Sequence, residues 1–312
     1  MTITPTPGGP MGTETKTPHD TDVAVIGGGP AGLQAALTIG RVHRRATLFD
    51  DGRYRNATVA HMHNVVTHDG TPPASFRAAG RAELAAYGTV EVREERVERV
   101  EAREGGGFSL TTASGLLTAG AVVLATGLRD ELPDVAGLGD LWGDLVAACP
   151  FCHGHEAAGQ RVGILGAAAA PHLSRILRPV AGTIVVLPHE EDALDGLSDE
   201  VAVVAGRVVA ARREGDEVVL TLDGGHEERV AALFVAPRFS QSAPFAEQLG
   251  LELNASGCIR VDELGRTSLP GVSAGGDLAH TAALPMPMVS VVQAMAGGQL
   301  AASGALMGLL AD

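Results

Sequence analysis

The chain has 312 residues, 45% of them hydrophobic and 19% charged, and a formal net charge of −14. That length suits two domains, each able to bury its own core, and so acidic a balance argues against nucleic acid or an anionic membrane surface as partner. The only lysine, Lys16, lies in the N-terminal tail, which argues against Schiff-base and lysine-base mechanisms, and three cysteines are too few for a disulfide framework.

Residues 1–20 are rich in Thr, Pro and Gly and lack the apolar core of a signal peptide, so they read as a disordered tail of a cytoplasmic protein. Asp22–Ile26 reads as a short apolar strand that runs into Gly27-Gly28-Gly29-Pro30-Ala31-Gly32. A helix follows from Ala31 to about Arg41, then a second strand, Ala46–Phe49. The hexad fits G-x-G-x-x-G between a strand and a helix. Gly27 permits the tight turn, Gly29 lets the backbone approach a pyrophosphate, and Gly32 allows close helix–strand packing. The helix N-terminus adds backbone donors and a positive dipole end. Asp50 closes the second strand at the distance where a ribose-binding carboxylate belongs, with Asp51 the alternative one position on.

The segment from His61 to Pro73 reads as a loop with three histidines, His61, His63 and His68, either exposed or lining a pocket. Helical spacing runs from Pro73 to Tyr87, and short strands alternate from Val90 to Leu117. Ala121–Ala125 is a buried strand ending in Ala125-Thr126-Gly127. A second β-α-β unit follows, with Arg161–Leu165 and Thr183–Leu187 as strands and Ala167–Pro179 as helix. Further strands are expected at Glu200–Ala205 and Glu217–Leu222. After Pro237 comes Gly275-Gly276-Asp277 and a long apolar helix, Val289 to about Leu310. No charged residue occurs from Thr281 through Ala311, a run long enough to suggest a membrane span. Pro285, Pro287 and recurring Gln, Ser and Gly instead favour a buried helix covered by protein. The predicted fold is α/β, with two Rossmann-like dinucleotide-binding domains, one inserted in the other. Residues 21–130 and 238–312 form the first, and 131–237 the insert.

Between the two units lies Cys149-Pro150-Phe151-Cys152-His153-Gly154-His155-Glu156. A C-x-x-C pair suits thiol–disulfide exchange. The neighbouring His153 and His155 are proton acceptors near neutral pH, and Glu156 could orient either. A structural zinc site using Cys149, Cys152, His155 and another histidine is the competing reading, but there is no second paired motif to complete it, and no metal is expected. Cys258, isolated, reads as a small buried hydrophobe.

The order of these motifs resembles low-molecular-weight thioredoxin reductase from about residue 20 to the end. More narrowly, Cys-Pro-Phe-Cys-His-Gly and Asp50-Asp51-Gly52-Arg53-Tyr54-Arg55-Asn56 resemble the FAD-dependent dithiol oxidases, which close disulfides in natural products such as gliotoxin and holomycin. The resemblance implies FAD, a homodimer, and a redox-active cysteine pair facing the flavin. Cys152 would be the inner sulfur and Cys149 the exchanging one. It places His153 where the reductases carry an aspartate. The cofactor set it implies is Gly27, Gly29, Pro30, Ala31, Gly32, Asp50, Asp51, Asn56, Ala125, Thr126, Gly127, Asp277 and Val291. The last two lie at the ribityl or phosphate region and at the helix end aimed at the ring.

The second turn departs from the reductase pattern. It reads Gly166-Ala167-Ala168-Ala169-Ala170-Pro171, so Ala168 puts a Cβ where a backbone should meet pyrophosphate. Pro188-His189-Glu190-Glu191-Asp192 follows the next strand, where a 2′-phosphate would need arginines. Each close acidic charge there costs about 1 kcal/mol against a phosphate even in a solvent-like dielectric. With nicotinamide binding lost, the electrons would enter from the thiol side, with a small-molecule dithiol as the expected donor and O2 as the simplest acceptor; an NAD(P)H-dependent thioredoxin-disulfide reductase is the alternative.

Overall fold

A computed structural model describes residues 19–189 and 201–311. The tail up to Pro18 and the Glu190-Glu191-Asp192 run lie outside the described residues. The chain opens with β1 (Thr21–Ile26), α1 (Pro30–Arg41), β2 (Ala46–Phe49), α2 (Pro73–Leu84), β3 (Val90–Arg93), β4 (Val97–Ala102), β5 (Phe108–Thr112) and β6 (Gly115–Leu124). Strand β1 pairs in parallel with β2 and β6, and β2 with β3. Five of the six β1 residues are buried, the continuous apolar run expected of a parallel strand covered on both faces. Helix α1 starts with Pro30 in its first turn, where the missing N–H costs no helical bond. It ends on His43 at φ 55°, whose N–H donates to the Gly40 carbonyl while Arg44 N–H donates to Ile39, a left-handed cap built without glycine.

Next come β7 (Leu128–Glu131), β8 (Val146–Ala147), α3 (Pro150–His153), β9 (Arg161–Leu165), α4 (Ala170–Leu177), β10 (Thr183–Leu187) and β11 (Ala202–Val203). Then follow β12 (Val208–Glu214), β13 (Glu217–Leu222), β14 (Glu227–Val230) and β15 (Ala232–Val235). A second parallel sheet has the order β11-β10-β9-β15-β8, with β12-β13-β14 as an antiparallel layer beside it. The helix expected over Ala167–Pro179 is shorter, and β12, β14 and β15 join the strands read from the sequence. The chain returns through β16 (Arg238–Gln241), which pairs antiparallel with β7. It finishes with α5 (Phe245–Gln248), β17 (Ile259–Val261), β18 (Val272–Ala274), β19 (Ala279–Thr281) and α6 (Val291–Ala311).

Strand β6 joins the early and late segments. Its residues 115–119 pair with β5, and its residues 122–124 pair with β18. Apolar residues from 23 to 128 and from 245 to 305 fill the cores around this sheet. Those from 135 to 235 fill separate cores around the second. The fold is therefore mixed α/β with two nucleotide-type sheets, joined by the two-stranded β7–β16 crossover.

Helix α6 departs from the expectation of a fully covered helix. It is long and apolar enough to cross a bilayer by length and composition alone. Its buried face consists of small residues, Ala294, Gly298, Ala301, Ala302, Gly304 and Ala305. A Cβ on Gly298 would collide with the Ala31 carbonyl, so α1 and α6 touch backbone to backbone. The opposite face, with Val292, Leu300, Met307 and Leu310, is exposed.

Candidate active site

The first turn is shaped for a close-approaching ligand. Gly27 sits at φ +117°, where a side chain would also strike the Ala125 backbone. Gly32 packs so tightly that a Cβ would overlap the Gly27 carbonyl oxygen. No protein atom lies within 4 Å of a Cβ built on Gly29, so that face of the turn is open. Gly27, Gly29, Pro30 and Ala31 border a cavity of about 520 Å³ that Asp51, Asn56, Ala125, Thr126, Gly127, Asp277 and Val291 also line.

Asp50 does not border that cavity. It is buried, and its carboxylate accepts from the Gly52 amide at 3.0 Å, from Tyr54 Oη at 2.7 Å and from the Arg81 guanidinium. The expected ribose acceptor is thus committed to its own protein, whereas Asp51 is exposed on the cavity wall. Burial and the Asp50 carboxylate push the Tyr54 hydroxyl up to about 12, so it stays a donor. Arg77 stacks 3.8 Å from the Tyr54 ring centroid and donates to Asn56 Oδ1 at 3.1 Å. Burial lowers the Arg77 pKa from its ordinary value.

Asp277 is the second polar anchor. Arg55 Nη1 donates to its Oδ2 at 2.9 Å, and the same guanidinium grips Asp130 of β7 through Nε at 2.8 Å and Nη2 at 2.6 Å. Arg55 also lies 5.1 Å over the Phe239 ring of β16. One cation therefore ties both crossover strands to the cavity floor. Burial raises the Asp277 pKa, and Arg55 only partly opposes it. Asp277 Oδ1 is buried without a partner among the described residues. An unsatisfied buried acceptor costs ~1–3 kcal/mol, which a ligand hydroxyl would recover. With the open face at Gly29, this orphan oxygen makes the cavity fit a flavin dinucleotide. Nearby Cys258 is fully buried, and burial raises its thiol pKa.

Cys149 and Cys152 line the same cavity and are joined as a disulfide with Cα atoms 5.3 Å apart. Their segment forms the single turn α3, capped by Cys149, whose carbonyl accepts from the Cys152 and His153 amides. In this oxidised state the sulfurs are not thiolate ligands for a metal. His153 lines the cavity, its Nδ1 buried without a partner among the described residues. Burial lowers its pKa, so the ring is held neutral and able to accept a proton. His155 does not share that face. Helix α3 stops at His153, Gly154 begins a tighter turn, and His155 is exposed and away from the cavity.

The loop after β2 is divided. His61 and His63 line the cavity, and His68 instead packs edge-on against Phe76 with centroids 5.4 Å apart. Of the three loop histidines read as exposed or pocket-lining, His61 and His63 are the pocket-lining ones, whereas Arg55 and Trp142 are site residues that motif reading does not single out. Arg55 lies inside the resembling segment, but no spacing rule connects it to Asp130 or Asp277. At the second turn, Gly166 keeps a positive φ of 90°, and Ala168 is exposed at the mouth.

The pyridine nucleotide-disulphide oxidoreductase family pattern matches residues 21–298. Thioredoxin reductase aclD of Aspergillus oryzae is 33% identical, covering 93% of this chain and 97% of its own length. Thioredoxin reductase sirT of Leptosphaeria maculans is 34% identical, covering 91% and 92%. Among solved structures, HlmI superposes with a TM-score of 0.82 at 35% identity, over 93% of each chain. This chain belongs to the pyridine nucleotide-disulphide oxidoreductase family, and its fold is that of the thioredoxin reductase-like flavoproteins.

Proposed function

We propose that the protein is an FAD-dependent dithiol oxidase that closes a disulfide in a small-molecule dithiol and reduces O2 to H2O2. The observation that carries this reading is that the open glycine turn, Asp277, the Cys149–Cys152 disulfide and His153 all line one cavity. FAD, when bound, supplies a two-electron acceptor for the cysteine pair and an outlet to dioxygen. Gly29, Ala31, Asp51 and Asp277 would hold it.

The chain's own residues set up the exchange. His153, kept neutral by burial, takes the proton of a substrate thiol. The thiolate attacks Cys149 Sγ, and the electron pair of the broken disulfide goes to Cys152 Sγ. The second substrate thiol, once deprotonated, attacks the first substrate sulfur. The product disulfide forms and Cys149 leaves as a thiolate. A cavity of about 520 Å³ walled in part by His61, Met62 and Trp142 favours a small substrate over a protein. Ala168 at the mouth of the second turn supports electron entry from thiols rather than from NADPH.

The names of the relatives favour a second reading, an NADPH-dependent disulfide reductase. Anaerobic mixing separates the two. A small dithiol should bleach the yellow protein, and NADPH should not. Oxygen uptake with dithiol alone, accompanied by peroxide, completes the expected result. Bleaching by NADPH but not by dithiols would reverse the assignment. A homodimer is part of this proposal, supported by exposed Leu284, Met286, Met288 and Val292, and light scattering tests it.

A further inference from the structure

Two thiols lose protons in each exchange, but His153 can hold only one. Its burial opposes a lasting charge, and its buried Nδ1 has no partner among the described residues. The groups that act on its ring are Glu156, His63, Asp144 and the Gly143 backbone. His63 is built differently. Its Nδ1 lies 3.5 Å from Asp69 and its Nε2 lies 3.5 Å from Glu156, and both carboxylates reach solvent.

The arrangement is held from both sides. Met62 N–H donates to the Thr71 carbonyl at 3.0 Å, and Gly70 N–H donates back to Met62 at 2.9 Å. Asp69 Oδ1 accepts from the Asn64 amide at 2.8 Å, with Asn64 in the left-handed region at φ 61°. That bond aims the carboxylate at the imidazole. Glu156 comes from the segment that carries the cysteines, so His63 bridges the loop and that segment. It lines the same cavity as His153 and is near enough to act on that ring electrostatically.

We propose that His63 is the second proton carrier of the exchange: it relieves His153 of the first substrate proton and releases that proton past Asp69 and Glu156 to solvent. His153 is then neutral again when the second thiol must be deprotonated. The balance is that of the exchange itself. The substrate loses two electrons and gains an S–S bond, the Cys149–Cys152 bond is broken by those two electrons, and the first thiol proton leaves by way of His63. This role rests on the thiol exchange proposed above, and His63 acts on the substrate only through His153.

The test is anaerobic and reads sulfur chemistry alone. Wild type and His63→Gln are mixed with a monothiol, 2-mercaptoethanol, and the mixed disulfide is counted by intact mass after acid quench. They are then mixed with dithiothreitol, and freed Cys149 and Cys152 are counted by alkylation. The first arm needs one proton removed and the second needs two. His63→Gln should leave the monothiol arm within about two-fold and slow the dithiol arm roughly ten-fold, a modest share of what proton transfer contributes. Added imidazole should restore most of the lost rate. Asp69→Asn should slow the dithiol arm alone, by a smaller factor of about three. Equal slowing of both arms, no slowing of the dithiol arm, or no recovery with imidazole overturns the role. Wild type that exchanges with neither thiol overturns it together with the proposed function. Wild type that exchanges but never consumes oxygen sinks only the oxidase reading.

Discussion

The two nucleotide-type turns share a strand–turn–helix plan and part at the positions a ligand would touch. At the first, Gly27 holds φ 117°, and the space over Gly29 is open. At the second, Gly166 holds φ 90°, but Ala168 occupies the place of Gly29 and Pro171 that of Gly32. Helix α1 runs for 12 residues from its turn, and α4 for eight. The glycine required by the chain reversal is present in both, and those required by pyrophosphate and by close helix packing are present only in the first. A turn can therefore keep the fold without the glycines a pyrophosphate would touch, and the proposed direction of electron flow rests on which glycines remain.

The largest expected effect comes from spoiling the intact turn. Gly32→Val would drive a side chain into the Gly27 carbonyl and displace the start of α1. Flavin affinity, read by titration of the stripped protein with FAD, should fall by at least about 100-fold, or ~2.7 kcal/mol. Unchanged affinity would mean that the glycine turn is not the cofactor seat. His153→Gln comes next, because thiol entry at the cysteine pair depends on a proton acceptor. Anaerobic exchange should slow about 100-fold. In the wild type, burial lowers the His153 pKa, so the neutral ring persists as pH falls below the ordinary histidine range. The acid limb of the exchange rate should lie below that range and should vanish in the variant.

Arg55→Met sharpens the comparison from the floor of the cavity. It leaves Asp130 and Asp277 facing each other without their shared cation, and all three side chains are largely buried. Breaking a fully buried pair on one side costs ~3 kcal/mol or more, and the partial exposure of this triad reduces that to ~2 kcal/mol, which should appear as a lower urea midpoint of the apo protein. A loss below about 1 kcal/mol would show the carboxylates to be solvated or protonated instead.

Much of this organisation is legible in the residues themselves. The apolar run of β1, the glycine hexad and the strand after it define the first unit, because a parallel strand and a phosphate turn leave local signatures. The strands β12 and β14 are harder to see. Val-Val-Ala-Ala-Arg-Arg-Glu and Glu-Glu-Arg-Val carry charge on exposed edges and lack clean alternation. Asp50 illustrates a limit of another kind. Its strand-end position is that of a ribose acceptor, but Arg81, 31 residues away, reaches back to claim it. His155 fails on a local break, since three-residue spacing aligns faces only while a helix continues. The open face of α6 is invisible because both of its faces are apolar, and only packing tells alanine and glycine from leucine and methionine.

The smallest expected effect is also the most direct probe of the second turn. Ala168→Gly with Pro171→Ala returns the backbone freedom and one amide donor to a site that keeps Gly166. If the alanine alone blocked nicotinamide binding, the double variant would be bleached by NADPH. A turn, however, contributes only part of such a site, because the charge after β10 must also suit the ligand, and Glu190-Glu191-Asp192 follow that strand in the sequence. Each close acidic charge opposes a 2′-phosphate by about 1 kcal/mol. The double variant should therefore gain less than about ten-fold in NADPH affinity by equilibrium titration, and NADH, which lacks the phosphate, should gain more. Equal gains for both nucleotides would show that the acidic run plays no part and that the backbone at Ala168 is the sole barrier.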